Sequence, residues 1–429
     1  MKKILFSFIF LVLTFTVSAQ QIVWMNYAND QEREVFQILI DDFEKSHPGV
    51  EIIFKSVDNS DYGYKINAAF VNNNPPDIFY VGPENIQYYC DKKRLLNLTK
   101  YVEKTSSANF NDLYPSSVTP YRYDGLSIGK GDIWALPKDL GPFALGYNAD
   151  LLKKNGIPLP DKDKPLTFDE FLSICKKVTK DIDGDGKNDI WGTGLDPNFS
   201  LIQFLWGNNG DFLDETKTKV TITEPAFVNG LQFFADMMNK HHVCTSLADN
   251  EELHPYIRWI QGNMAFFPVA PWDLRAFTTL PFDYDLIPWP VGKEGYKTAT
   301  WVGSVGYGVS SKTKYPEIAA EFALYLSAYK STMEKMTDLD MQVPTLMSLA
   351  GRYTSKPGNP KNRQEYLNII QTTGRSTPDA YTYNPVWYRR FFWELRGVLD
   401  GYETAENYCK RMQPKMQRLL VRASKKQKS

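Results

Sequence analysis

The first part of the chain combines two short apolar runs with one segment of helical spacing. Residues 22–25 (IVWM) and 50–57 show the pattern of buried strands. A helix is predicted between them, because Asn29 can cap it with Glu32, three residues later, as the capping-box partner. Its apolar positions are Phe36, Leu39, Ile40 and Phe43. This strand–helix–strand order predicts an α/β fold in which helices cover a parallel sheet.

A second pattern occupies residues 131–157, GDIWALPKDLGPFALGYNADLLKKNGI. Two apolar runs are separated there by a polar step that contains Asp139 and lies between Pro137 and Pro142. Because proline donates no backbone hydrogen bond, sheet pairing is interrupted between the runs. Two strands joined by a stiff polar step are typical of a chain that passes from one domain to another. An ordinary loop within one sheet fits the local pattern equally well.

Two further strand-and-proline patterns, at residues 285–290 and 342–344, predict a second and a third crossing. The length of 429 residues also favours two domains, because single hydrophobic cores rarely grow beyond about 250–300 residues. Several adjacent crossings would confine the relative motion of the domains to a bend.

Polar and aromatic residues gather where the predicted strands end. In parallel sheets, ligands bind beyond the carboxyl ends of the strands. In the first domain the residues assigned to such ends are Trp24, Asn26 and Tyr27, together with Asp77, which stands just before another strand. In the second, an apolar segment runs into Pro271 and leaves Trp272 and Asp273 at the mouth of the sheet. An indole face stacks on sugar C–H groups and a carboxylate accepts bonds from hydroxyls, which favours a site over a core position for Trp272.

The charge of the chain is nearly balanced. Lysine and arginine number 49 and aspartate and glutamate 50, with no basic tail or stripe, which argues against a nucleic-acid partner. Aromatic residues make up 14% of the chain, more amphipathic aromatic surface than cores alone require.

The N-terminus predicts export. Lys2 and Lys3 precede an apolar run that ends at a small-residue cleavage site, so residues 1–19 are predicted to be a signal peptide and the mature chain to begin at Gln20. The run is too short to span a bilayer comfortably, and no cysteine stands at the cleavage site to carry a lipid anchor. We therefore expect a soluble, exported, periplasmic protein.

Four cysteines are widely spaced and show no metal-ligand pattern: Cys90, Cys175, Cys244 and Cys409. An oxidising compartment permits up to two disulfides, with three connectivities. For Cys175, which lies on an apolar helical face, a buried free thiol is at least as well supported.

An acidic loop follows a helix predicted over residues 166–179. Acidic side chains at its first, third, fifth and ninth positions, with Gly186 at the sixth, match the start of an EF-hand-type calcium loop. The candidate ligands are Asp181, Asp183, Asp185, Lys187 and Asp189. The twelfth position, which normally carries a bidentate glutamate, is Gly192. A solvated Asp/Gly turn is the alternative to a structural calcium, and no other cofactor is expected.

Six segments of the chain together carry a family resemblance. In order they are HPGVEI, PPDIFYV, ALPKDLGPFALGYNADLLKKNGI, LTFDEFLSICKKV, WIQGNMAFFPVAPWDL and ATWVGSVGYGVSSKTKYPEIAAEFALYLS. The set resembles the family 1 extracellular solute-binding proteins of sugar ABC importers, the group that contains maltose-binding protein. The resemblance implies a two-lobed periplasmic-binding-protein fold of class II type, each lobe a mainly parallel sheet flanked by helices. Lobe I would comprise residues 20–137 and 288–340, and lobe II residues 138–287 and 341–429.

The resemblance also extends the candidate site. It places Trp206 and Asn208 in an aromatic region of lobe II that contacts sugar, and Trp387 where a stacking tryptophan is expected; packing within its own helix is the alternative for Trp206. The family often has Pro-Thr-Arg where this chain has Pro344-Thr345-Leu346, so that arginine contact is in doubt. The candidate ligand-binding residues are Trp24, Asn26, Tyr27, Asp77, Tyr80, Asp139, Trp206, Asn208, Trp272, Asp273, Trp301 and Trp387.

Three functions fit these observations to different degrees. The first is a monomeric, non-catalytic receptor that delivers a carbohydrate to the membrane subunits of an ABC transporter. The second is the same fold binding a polyamine or a polyol phosphate. The third, which the resemblance disfavours, is an exported glycosidase that uses two carboxylates among Asp77, Asp139 and Asp273.

Overall fold

The computed structural model describes residues 19–303, 305–383 and 385–427, with side chains through residue 422. The predicted signal peptide therefore lies outside the described residues, apart from Ala19. Within the described part, the strands are β1 (Gln20–Asn26), β2 (Val50–Ser56), β3 (Ile78–Val81), β4 (Arg122–Tyr123), β5 (Asp132–Ile133), β6 (Ala135–Pro137), β7 (Gly141–Pro142), β8 (Ala144–Asn148), β9 (Trp191–Thr193), β10 (Met264–Val269), β11 (Tyr284–Ile287), β12 (Thr300–Gly303), β13 (Gly306–Val309) and β14 (Gly374–Arg375).

Helices connect and cover these strands. They are α1 (Asp30–Ser46), α2 (Asn59–Val71), α3 (Ile86–Asp91), α4 (Thr99–Lys104), α5 (Pro115–Val118), α6 (Ala149–Lys154), α7 (Phe168–Val178), α8 (Pro197–Gly207), α9 (Pro225–Asn239), α10 (Leu247–Glu252), α11 (Pro255–Ile260), α12 (Leu274–Phe277), α13 (Pro316–Ala328), α14 (Lys330–Asp338), α15 (Ala350–Thr354), α16 (Gln364–Asn368), α17 (Val386–Trp393), α18 (Arg396–Leu399) and α19 (Ala405–Gln427). Short 3₁₀ turns include Pro83–Asn85, Pro271–Asp273 and Pro378–Tyr381. In the part of the chain that the structure describes, no helix combines the length and apolarity that crossing a membrane requires.

Lobe I is built on a five-stranded sheet of order β2-β1-β3-β13-β6. Strand β1 runs parallel to β2 and β3, as the strand–helix–strand pattern predicts, whereas β13 pairs antiparallel with β3 and β6. The capping box of Asn29 and Glu32 forms at the start of α1 as predicted. Five residues of α1 are buried against the sheet: Val35, Phe36, Leu39, Ile40 and Phe43.

Lobe II is built on a four-stranded sheet of order β11-β8-β10-β9. Strand β8 is antiparallel to both neighbours, and β9 and β10 are parallel. The sheets are therefore mixed, which corrects the expectation of mainly parallel sheets. One core cluster holds Phe171, Phe204 and Phe234 from the helices of one face, and another holds Trp259, Tyr353 and Tyr366 with strand residues such as Tyr284.

A small third sheet of order β14-β12-β7 lies where the chain crosses between the lobes. The first crossing runs from β6 through β7 to β8, as the polar step predicts. The predicted third crossing at 342–344 lies beside it, because Leu140 and Val343 form a β-bridge. The lobes are therefore joined by several strands that lie next to one another.

The second crossing differs from its predicted position. Trp289 Nε1 donates to the carbonyl of Phe143 at 2.8 Å, and the Val291 amide donates to the carbonyl of Leu166 at 2.9 Å. Residues 288–303 therefore pack with lobe II, and the chain crosses between β12 and β13. The third crossing is also completed later than predicted. Val343 pairs with Leu140 at the hinge, but Leu346 and Leu349 still belong to the lobe I core, so the lobe II boundary moves from residue 341 to beyond Leu349.

The four cysteines are free thiols in this structure, and Cys175, Cys244 and Cys409 are buried. This outcome matches the free-thiol alternative for Cys175. Burial raises the pKa of Cys244 to about 12, so this thiol is held in its protonated form.

Candidate functional site

In lobe I, β1 ends at Asn26 and is followed by Tyr27. Asn26 is fully buried, and neither its side-chain nitrogen nor its oxygen has a hydrogen-bond partner among the described residues. Tyr27 is half-buried and packs edge-on against Tyr62 and Tyr80, with ring centroids 5.1 and 5.2 Å apart. Burial raises the pKa of Tyr27, so its phenol stays neutral and available as a donor. The buried Tyr80 hydroxyl also lacks a partner in the described part.

A buried ion pair lies at the first crossing. Lys138 Nζ is 2.7 Å from the Asp139 carboxylate and 3.3 Å from the Glu32 carboxylate. Burial alone would lower the pKa of Lys138, but the two carboxylates outweigh burial and raise it. The Lys138 amide also donates to the carbonyl of Val305 at 2.9 Å, which ties the first crossing to the second. Asp139 thus lies in the seam as predicted, with its charge compensated by Lys138.

Four aromatic residues form a cluster on the lobe II side, which we call the seam patch: Phe143, Phe199, Trp272 and Trp301. Phe143 stacks on Trp301 at 5.2 Å and on Phe199 at 5.8 Å, and meets Trp272 edge-on at 5.3 Å. Phe199 is 45% exposed and Trp272 is 37% exposed, whereas Trp301 is half-buried. The patch therefore presents open ring faces to solvent.

Glycine at position 141 is required for this arrangement. A Cβ atom there would lie 2.5 Å from the Trp272 ring and 3.0 Å from the carbonyl oxygen of Gly303. The indole thus rests directly on the backbone of β7, the strand that joins the lobes.

Asp273 is close to this indole in sequence but has a different environment. Its carboxylate accepts a bond from the Ala270 amide at 3.1 Å and so caps the turn after β10. Burial raises the pKa of Asp273 to about 7, although the Ala270 amide opposes the shift. The group is therefore partly protonated near neutral pH and can donate as well as accept.

A cavity of about 500 Å³ lies between the lobes and is referred to below as the interlobe cavity. Lobe I contributes Pro83, Ser116, Thr119 and Pro120. The crossing strands and lobe II contribute Leu140, Trp206, Asp211, Lys217, Val302, Ile370, Gly374, Arg375, Ser376, Pro378 and Tyr381. Strand β12 places Trp301 in the seam patch and Val302 in the cavity wall, so the two features are neighbours on the small third sheet.

Two predicted stacking residues are core residues instead. Trp24 is fully buried, with Phe36, Phe54 and Phe322 at centroid distances of 5.0, 5.0 and 5.5 Å. Trp387 is also fully buried, and its Nε1 donates to Thr382 Oγ1 at 2.8 Å. Each indole faces the interior, so neither offers a ring face to a ligand.

Two predicted polar contacts also stabilise the fold. Asp77 precedes β3 rather than following it, and its carboxylate accepts a bond from the Val23 amide at 2.8 Å. It therefore lies at the amino end of β3, away from the cleft. Asn208 ends α8 and donates to the carbonyl of Ala226 at 2.7 Å, which corrects its assignment to the ligand.

Several residues of the cleft were not predicted from the sequence. Phe143 completes the seam patch, and Lys217 and Arg375 add positive charge to the interlobe cavity. Phe199, in contrast, belongs to the aromatic region of lobe II that the resemblance indicated. Phe143 could have been found, because it follows Pro142 directly in the first crossing. Lys217 and Arg375 lie in loops and short strands with no local pattern, and the fold alone brings them together.

The acidic loop folds as a series of tight turns. Carboxylate oxygens of Asp181, Asp183 and Asp189 lie within 4.8 Å of one another. Asp185 is turned differently and accepts a bond from the Lys187 amide at 2.8 Å. Lys187 Nζ lies 3.3 Å from Glu252, a carboxylate next to the loop. The geometry brings together three of the five candidate ligands.

Most of the curated relatives reported for the chain bind oligosaccharides, and one, from Agrobacterium fabrum, binds sn-glycerol 3-phosphate. An arabinooligosaccharide-binding protein from Halalkalibacterium halodurans is 22% identical over 214 residues, which cover 48% of this chain and 46% of that protein. A galactooligosaccharide-binding protein from Bacillus subtilis is 23% identical over 268 residues, or 59% of this chain and 58% of that protein. The chain thus spans about half the length of the curated relatives it matches.

Solved structures confirm the two-lobed fold. An ABC substrate-binding protein from Listeria monocytogenes, solved in complex with cycloalternan, superposes with a TM-score of 0.82 at 22% identity, covering 94% of this chain and 99% of that one. The model of the family described as bacterial extracellular solute-binding protein matches residues 28–332. Since this match covers more than half of the chain, the protein belongs to the bacterial extracellular solute-binding protein family.

Proposed function

We propose that this protein captures a sugar or oligosaccharide between its two lobes and delivers it to an ABC importer. The observation that carries the proposal is the seam patch, which exposes Phe199 and Trp272 at the crossing between the lobes. Aromatic faces of this kind stack on the C–H surfaces of sugar rings. The oligosaccharide-binding relatives support the same class of ligand.

Polar groups opposite the patch would bind the hydroxyls of the sugar. Asn26 and Tyr80 hold buried polar atoms without a partner among the described residues, and such atoms favour a ligand that supplies one. Asp273 can accept or donate near neutral pH because burial raises its pKa to about 7. A sugar that contacts both sides would bind the closed arrangement more tightly and shift the population towards it.

We propose that binding occurs without catalysis. The family is one of binding proteins. The charge of Asp139 is neutralised by Lys138 at 2.7 Å, and Asp77 is engaged with the Val23 amide away from the cleft. Two of the three carboxylates considered for glycoside hydrolysis therefore have structural partners.

The location and partners follow from the same proposal. The protein is exported, acts as a monomer in the periplasm or at the cell surface, and presents its closed face to the membrane subunits of the transporter. Several adjacent strands at the crossings support this mechanism, because they confine the lobes to a bending motion.

Titration calorimetry of the chain from Gln20 onwards tests this function. Arabino-, galacto- and malto-oligosaccharides, polyamines and glycerol 3-phosphate form the panel. We expect saturable binding of at least one oligosaccharide, and no release of reducing ends on prolonged incubation. Binding of polyamines alone would contradict the sugar assignment, and steady hydrolysis would contradict the absence of catalysis.

A further inference from the structure

The interlobe cavity carries more positive than negative charge. Its charged lining residues are Lys217, Arg375 and Asp211, all from lobe II. The whole chain, in contrast, has a formal net charge of −1. Because two cations and one anion line the cavity, it favours a ligand that carries a negative charge.

Arg375 has hydrogen-bonding capacity that its neighbouring carboxylate does not use. The Asp211 carboxylate lies 3.8 Å from Arg375 Nη1, beyond hydrogen-bond distance. The guanidinium carbon lies over the Trp206 ring, 5.4 Å from its centroid. Trp206 is 3% exposed and lines the cavity, and its Nε1 has no hydrogen-bond partner among the described residues. An acceptor in the cavity could therefore bind the guanidinium of Arg375, whose side chain is 53% exposed.

Lys217 is positioned by an ordered turn. Its backbone adopts φ +60°, which is uncommon for a residue other than glycine. Asp214 stabilises the turn by accepting bonds from the amides of Thr218 and Lys219, both at 3.0 Å. The ammonium group lies 5.8 Å from the centroid of Tyr381, on the cavity wall. The turn therefore presents the lysine to the cavity.

Lobe I closes the cavity with neutral groups, including the hydroxyls of Ser116 and Thr119. A volume of about 500 Å³ falls within the range of about 300–1,000 Å³ typical of small-molecule sites. Such a space suits a ligand with one anionic end towards lobe II and hydroxyls towards lobe I.

We propose that Arg375 and Lys217 form an anion subsite that selects sugars carrying a negatively charged group, and specifically the carboxylate of a uronate-containing oligosaccharide. The inference rests on the proposed sugar-binding function and narrows its ligand class. A planar carboxylate fits the planar donor fork of Arg375. A sugar phosphate would be bound by the same two cations, so it is tested separately.

Calorimetry with a matched pair of disaccharides tests the subsite. Digalacturonate and galactobiose differ in the carboxylate, and galactose 6-phosphate supplies the phosphate arm. We expect the wild-type chain to bind digalacturonate about tenfold or more tightly than galactobiose, with a preference that falls as salt rises. Arg375→Gln and Lys217→Gln should each reduce that preference about fivefold, a size expected for partly exposed charges, because digalacturonate loses more affinity than galactobiose.

Matched controls separate the subsite from general charge effects. Arg390 lies over Trp393 at 5.8 Å and Lys293 over Tyr296 at 4.8 Å, both outside the cavity lining. Arg390→Gln and Lys293→Gln should keep the preference. Equal affinity for the two disaccharides would overturn the proposed anion subsite but not the proposed sugar-binding function. The same holds for a preference that survives loss of both Arg375 and Lys217. Tighter binding of galactose 6-phosphate than of digalacturonate would overturn the carboxylate assignment, and no binding of any sugar would overturn the proposed function as well.

Discussion

Two tryptophans assigned to the ligand from the sequence have opposite environments in the structure. Trp24 is fully buried in lobe I, whereas Trp272 is 37% exposed in the seam patch. We expect Trp272→Ala to weaken sugar binding about five- to 150-fold, the loss of roughly 1–3 kcal/mol from one stacked ring. The melting temperature of the Trp272→Ala variant should change little. Calorimetry and thermal unfolding of the same preparations give the two quantities.

Trp24→Ala is the matched comparison. Removal of a buried indole should lower the free energy of unfolding by about 3–5 kcal/mol, while the folded fraction binds sugar normally. The reverse result, with Trp272→Ala melting early and binding normally when folded, would assign Trp272 to the core.

The raised pKa of Asp273 predicts that the stability of the fold depends on pH. Burial raises its pKa to about 7, above the ordinary value of about 4, so the folded state favours the protonated carboxyl. Its contribution to stability is therefore complete below about pH 4 and is lost as the pH rises through 7. Asp273→Asn should raise the melting temperature at pH 8 and leave it nearly unchanged at pH 4. The exposed Asp283 provides the control substitution, Asp283→Asn, for which we expect no such difference.

At the scale of elements, the features that depend on nearby residues were predicted correctly, whereas a feature that depends on long-range packing was not. The capping boxes of Asn29 with Glu32 and of Thr167 with Glu170 both form as their sequences indicate. Each depends on residues three positions apart. The second crossing was misplaced because Trp289 packs on Phe143, 146 residues away, a contact that no local pattern reveals.

The acidic loop offers carboxylates that could hold a calcium ion. We propose that calcium binds Asp181, Asp183 and Asp189, whose carboxylates already lie within 4.8 Å of one another. A chelator should then lower the melting temperature, because a cation at a hundredfold excess over its Kd stabilises the fold by about 2.7 kcal/mol. Sugar affinity at low temperature should change little.

The geometry supplies a control for the calcium experiment. Asp183→Ala should mimic the chelator, while Asp185→Ala should not, because Asp185 lies outside the group of carboxylates whose oxygens are within 4.8 Å of one another. If chelation and both substitutions leave the melting curve unchanged, the loop is an Asp/Gly turn without a metal.

At the scale of the whole molecule, the fold could be predicted from the sequence and the site only in part. The order of elements and the crossings determine the two-lobed architecture, and a strand that ends at Pro271 indicated Trp272. Lys217 and Arg375 are 158 positions apart, and both meet lobe I residues in the cavity. Side-chain direction at strand ends was also ambiguous, since Trp24 points into the lobe I core from a position that fits a cleft.

Two turns, one from each lobe and each carrying a carboxyl group, are in contact. The turn Pro83–Asn85 of lobe I contacts the turn Pro378–Tyr381, which packs with lobe II. Burial and the nearby Asp379 carboxylate raise the pKa of Glu84 to about 7, and burial raises the pKa of Asp379, while Arg389 opposes both shifts. One oxygen of Asp379 has no hydrogen-bond partner in the described part of the chain. The contact between the lobes therefore favours protonated carboxyls.

This contact predicts that closure depends on pH. With the lobes apart, both carboxyls would return towards ordinary pKa values near 4, so protons bind the closed arrangement more tightly. Lowering the pH from 8 to 6 should then favour closure and increase sugar affinity several-fold. Calorimetry across this range measures the affinity, and small-angle X-ray scattering of the sugar-free chain measures the closed population. Glu84→Gln should bind at pH 8 as the wild type does at pH 6 and lose most of the dependence.

The controls distinguish this contact from other titrating groups. Glu103→Gln, an exposed carboxylate of lobe I, should keep the wild-type profile. Asp273 titrates in the same range and lies beside the seam patch, so Asp273→Asn must be measured in parallel. If the pH dependence survives in Glu84→Gln and disappears in Asp273→Asn, the effect arises at the sugar rather than between the lobes. Scattering separates the two further, because without sugar only the Glu84–Asp379 contact predicts a more compact chain at pH 6.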